Sequence, residues 1–105
     1  MVTPQFHAFR NPYPESVEGA PYLVVLQSPN LDHRVTTVVA PLVSPEHVGA
    51  GALFRPRFDI EGRTYALNML QVGAMPTTDI GPSIAELDRY QVIQAYDALI
   101  SGAWS

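Results

Sequence analysis

The chain has no cysteine and no lysine. Without cysteine it can form neither a disulfide nor a thiolate metal site. Its six basic residues are all arginines, set against ten acidic residues for a formal net charge of -4. That balance argues against a general binder of nucleic acid or anionic membrane, which needs a positive face to collect phosphates. Charged residues are scarce, 15% of 105 against 47% apolar, so the chain can bury a core and should fold. No apolar stretch approaches the roughly 18 residues of a membrane span, and no basic n-region leads an apolar run at the start. P-loop, GxGxxG and GxSxG motifs are all missing, and His7, His33 and His47 show neither HxH nor HxxxH spacing. The expectation is a single cytoplasmic domain over residues 1–105, with no cofactor and no metal.

What the sequence does have is proline, ten residues of it, which favours turns and strand ends over long helices. Alternation over 6–10 predicts a first strand, and Asn11-Pro12-Tyr13-Pro14 breaks it before a polar loop over 15–20. The apolar run over 22–27 suits a strand buried on both faces. The β-branched stretch over 34–42 should pair antiparallel with it. Ser44-Pro45-Glu46-His47 carries a weak helix-start signal that Gly49 and Gly51 cut short. Strands over 54–60 and 63–70 flank Glu61-Gly62, an acceptable two-residue hairpin turn. Gly73 and Pro76 then break the chain.

One segment reads as an amphipathic helix. Asp88 can cap it, and Gln91 approximates a capping box. Val92, Ile93, Tyr96, Leu99 and Ile100 follow at the spacing of one apolar face. Gly102 is a natural stop, followed by Ala103, Trp104 and Ser105. Five strands and one closing helix predict a mainly β fold, a barrel or curled antiparallel sheet closed at one side.

Each chemical candidate has a plain alternative. Asp59, Glu61 and Asp79 could pair as acid and base, or be ordinary surface charge. Arg55 and Arg57 flank Pro56, and alternation sets them on one face with Arg63 across the hairpin. That strip could hold RNA or an acidic peptide, or balance Asp59 and Glu61 on a solvated face. Trp104 either tucks onto its own helix or serves as an exposed anchor, since tryptophan is enriched in binding hot spots. Two copies in a two-fold dimer would make a paired wedge.

Several weak matches in order carry a resemblance. Tyr22-Leu23-Val24-Val25-Leu26-Gln27-Ser28 is followed by Val38-Val39-Ala40-Pro41-Leu42, Leu53-Phe54, Ile60 and the Tyr65 strand. Pro76, Ile80-Gly81 and Ala85-Glu86-Leu87 come next, before the helix. In this order the chain resembles the CcdB family of toxins, over almost its whole length. The resemblance implies an SH3-like barrel with a C-terminal helix, of the kind shared with Kid and MazF. It implies a homodimer that poisons DNA gyrase by gripping the gyrase A protein, without catalysis, and a neutralising CcdA-like antitoxin. The family grips gyrase through Trp-Gly-Ile directly after the helix. Here Ser101, Gly102 and Ala103 occupy those places, with the tryptophan three positions after the family's, as Trp104. Ser101, Gly102, Ala103 and Trp104 are therefore the implied gyrase-binding residues. Two alternatives stand beside this: a same-fold ribonuclease toxin of the MazF or Kid kind using the arginine strip, and a CcdB-fold module that has lost gyrase poisoning.

Overall fold

The computed structural model describes residues 3–13, 20–31, 35–47 and 55–101. The expected 15–20 loop, the starts of the strands at Arg34 and Phe54, the glycines Gly49 and Gly51, and Gly102, Ala103 and Trp104 fall wholly or partly outside them.

Among the described residues seven strands form one antiparallel sheet: β1 (His7–Arg10), β2 (Tyr22–Val25), β3 (Thr36–Val43), β4 (Arg57–Ile60), β5 (Arg63–Leu67), β6 (Gly73–Pro76) and β7 (Ala85–Glu86). The order is β4-β5-β3-β2-β1-β7, with β6 also on β3. A 13-residue helix, α1 (Arg89–Ser101), follows. The expected mainly β fold with one closing helix is what forms.

Two expectations are corrected. Residues 73–76 do not merely break the chain; they form β6, pairing Thr36↔Pro76 through Val39↔Gly73. Pro76 ends that strand, where its missing N–H costs least. The strand expected over 63–70 stops at Leu67, because Asn68 accepts from the Leu70 N–H and starts a 3₁₀ turn at Met69–Gln71.

Register sorts the side chains into two buried layers. Ala8, Tyr22, Val24, Ala40 and Leu42 lie on one face with Ile60, Tyr65 and Leu67, and α1 covers them with Val92 and Ala95. Phe9, Leu23, Val25 and Val39 lie on the other, against Met75 of β6 and Ile80. Every residue of β2 is buried, which is why its sequence is continuously apolar rather than alternating.

The sheet is barrel-like. In its order the β4–β5 hairpin and β1 are separated by β3 and β2, and the side chains of Arg10 on β1 and Glu61 at the hairpin tip meet across them, 3.2 Å apart. Glu61 and Gly62 have φ of 50° and 85°, the two positive values that a type I′ turn requires.

Candidate functional site

Of the four implied contact residues, Ser101 lies at the last position of α1, and Gly102, Ala103 and Trp104 lie outside the described residues. Ser101 is exposed and its hydroxyl donates to the Asp97 carbonyl at 2.8 Å, a local back-bond within the last turn.

The helix leading to it starts as expected. Asp88 accepts from the N–H groups of Tyr90 (2.9 Å) and Gln91 (3.4 Å). It is thus the main-chain N–H of Gln91 that meets the cap.

The face that α1 buries differs from the expected one. Val92, Ala95 and Ala98 are buried, and Leu99 is partly so. Ile93, Tyr96 and Ile100, read as part of one inward face, are 38%, 48% and 68% exposed, and Tyr90 is 81% exposed. The physical reason is size. Ala95 and Ala98 are small enough to sit on the inner face, where α1 lies against the 3₁₀ turn at Met69–Gln71 and the core, and the bulky residues one step round the helix are turned outward.

That outward stripe borders a groove of about 580 Å³. Val92, Ile93 and Tyr96 form its helical wall, and Phe6, Leu31 and Val38 form much of the rest. The loop after β2 is held in place by polar bonds: Gln27 accepts from the Val38 N–H at 3.0 Å, and Gln5 donates to the Leu26 carbonyl at 2.9 Å. Phe6 has φ of 66°, an uncommon conformation for a bulky residue. Its ring sits in the larger core layer with the Arg89 guanidinium 5.4 Å from its centroid.

The arginine strip does not form as expected. Ile60 faces Arg63 and Arg57 faces Ala66, so Arg63 and Arg57 lie on opposite faces of the hairpin. Arg57 donates to the carbonyl of Arg55 at 2.7 Å.

The candidate carboxylates also separate. Asp59 accepts from Thr64 across the hairpin at 2.7 Å, and Asp79 ends a separate 3₁₀ turn. Glu61 joins a cluster that sequence reasoning missed. Arg10 donates to both its oxygens, and Tyr22 donates its hydroxyl to Oε1. Arg10 also lies 5.7 Å from the Tyr22 ring centre, and Tyr65 packs edge-on against Tyr22 at 5.3 Å. The bond to Glu61, helped by burial and by the carboxylate's charge, holds the Tyr22 phenol above its ordinary pKa. Among the described residues no group of three His, Cys, Asp or Glu is placed to hold a metal. No described helix is long and apolar enough to cross a membrane.

These features define a small curled-barrel protein with an exposed apolar stripe on its closing helix. Comparison with protein families makes the class specific: the family model described as CcdB protein matches residues 5–102. The chain belongs to the CcdB family, and that membership supports a toxin of the CcdB type. No curated protein matches the chain.

Proposed function

We propose that the protein is the toxin of a toxin–antitoxin pair, a cytoplasmic homodimer that binds the A protein of DNA gyrase and is neutralised by a CcdA-like antitoxin. The observation that carries this reading is the outward stripe of Ile93, Tyr96 and Ile100. It runs along α1 into Ser101, toward the tail residues by which the family grips its target. A poison of this kind needs no reacting groups. It works by binding one conformation of its target better than the others. Trp104 supplies an aromatic anchor, able to stack on a guanidinium of the partner.

Purified protein should block supercoiling and promote gyrase-dependent DNA cleavage. Normal supercoiling with excess protein, together with a pull-down that recovers no gyrase, would overturn the assignment. Trp104→Ala, or truncation after Ser101, should abolish toxicity while the melting temperature changes little. A large loss of stability would place Trp104 in the core instead. Absence of growth arrest on expression would favour a module of this fold without poisoning activity. The ribonuclease alternative is weakened by the separation of Arg63 from Arg57, and incubation with total RNA without metal tests it directly.

A further inference from the structure

The groove beside α1 combines an apolar lining with a single charge. Phe6 and Val92 are buried at its base, while Leu31, Val38, Ile93 and Tyr96 stand exposed around them. Phe6 is fixed there through its backbone: its N–H donates to the Val25 carbonyl at 2.7 Å, and its carbonyl accepts from the Leu87 N–H at 2.9 Å. The polar side chains of the lining are engaged by the main chain. Gln5 donates to the Leu26 carbonyl, Gln27 accepts from the Val38 N–H, and Ser28 accepts from the Asn30 N–H at 3.1 Å. A space of about 580 Å³ with such a lining has the size and character of a small-ligand site.

Among the described residues of this lining, Arg89 alone is charged. Its guanidinium lies 5.4 Å from the Phe6 ring centre, and among the described residues it has neither an ion pair nor a hydrogen bond. Arg10, by contrast, is paired with Glu61. An unpaired guanidinium at the edge of an apolar groove favours an anion whose remainder is apolar, because its fork of N–H donors matches a carboxylate. That anion should carry a single charge. Glu86 and Asp88 share the neighbouring cleft with Arg89 and would repel a second negative charge. Helical spacing sets the direction: Arg89, Val92, Ile93 and Tyr96 follow at i, i+3, i+4 and i+7 along one side of α1. From Arg89 to Tyr96 is about 10 Å along the helix axis, a distance an alkyl chain can follow.

We propose that this groove binds a medium-chain fatty acid, with its carboxylate on Arg89 and its alkyl chain laid along α1 toward Tyr96. Burial of the chain against Phe6, Val92 and Ile93 provides most of the affinity, and Arg89 selects the headgroup and the orientation. A bound acid covers Ile93 and Tyr96, two members of the outward stripe. Binding of the acid itself does not depend on gyrase or on the tail.

The test is calorimetric titration of the full chain with decanoate, below its micelle concentration and at about pH 8, where the carboxyl group is ionised. Wild type should bind saturably, with one acid per chain. Octanoate, shorter by two methylenes, should bind about tenfold more weakly. Arg89→Gln should weaken decanoate about tenfold while leaving decanol nearly unchanged, and Arg89→Lys should recover part of the loss. A purely structural role for Arg89 would move decanoate and decanol together. Tyr96→Glu, which sets a like charge in the path of the chain, should also weaken decanoate. Melting curves check that each variant is folded. Should a variant melt, decanoate against decyltrimethylammonium on wild-type protein still decides the matter, because the cation should bind far more weakly. The assignment is overturned by the absence of saturable binding, by the cation binding as tightly as decanoate, or by a folded Arg89→Gln that keeps the wild-type preference for decanoate over decanol.

Discussion

Glu61 shows how far a single residue's role can lie from its place in the sequence. It sits in a turn, where acidic residues are ordinary, and nothing nearby in the chain marks it out. Its partners Arg10 and Tyr22 are 51 and 39 positions away. No local pattern could have found them. Removing the carboxylate leaves the Tyr22 hydroxyl, on a residue only 6% exposed, without that acceptor. Glu61→Ala should therefore cost about 1–2 kcal/mol in denaturant unfolding, more than a surface ion pair alone would give. The pH dependence follows from the same bond. The folded state holds the Tyr22 proton more tightly than the unfolded chain does. As pH rises past the unfolded value of about 10, the unfolded chain loses that proton first, and stability falls. The contribution is fully present below that pH and is lost above it, as the folded phenol ionises. Urea titrations across the alkaline range should show this decline in wild type and a shallower one in Tyr22→Phe.

At the scale of elements, strand content was legible where composition and environment agreed. β2 and β3 are rich in aliphatic and β-branched residues because most of their side chains are buried on either face. β6 was not legible, since Gly73-Ala74-Met75-Pro76 has little β-propensity and only Met75 turns inward. β7 is two residues long, too short for any periodicity. The existence of α1 and its Asp88 cap were readable; its orientation was not. Two apolar stripes lie side by side on it, Val92-Ala95-Leu99 and Ile93-Tyr96-Ile100, and bulk alone favours the second. Only packing against the core and the 3₁₀ turn at Met69–Gln71, where small side chains fit, selects the first. Ala95→Leu, which adds volume at a fully buried position, should destabilise by about 1–3 kcal/mol in thermal or urea unfolding. Tyr96→Ser, on the outer stripe, should change stability by less than about 0.5 kcal/mol while weakening partner capture. A reversed order of these two effects would show the helix packed through its other face.

For the molecule as a whole, the family and the barrel-with-helix fold were legible from the order of weak matches along the chain. The groove beside the outer stripe was not, because it joins α1 to Phe6, Leu31 and Val38 from distant parts of the sequence. Sedimentation of the purified protein should give a dimer at micromolar concentration. A wild-type protein that sediments as a monomer would remove the two-fold wedge from the proposed mechanism. The pairing of β1 with β7 reaches further still. Strand β1 leaves the ribosome before β7, so one of its edges has no partner until residues 85–86 have been synthesised. The helix that carries the exposed apolar stripe comes only after that. A nascent chain, or one terminated before β7, therefore keeps an open strand edge, which favours aggregation and chaperone or protease capture. Translation itself thus delays completion of this sheet until everything between β1 and β7 has been made.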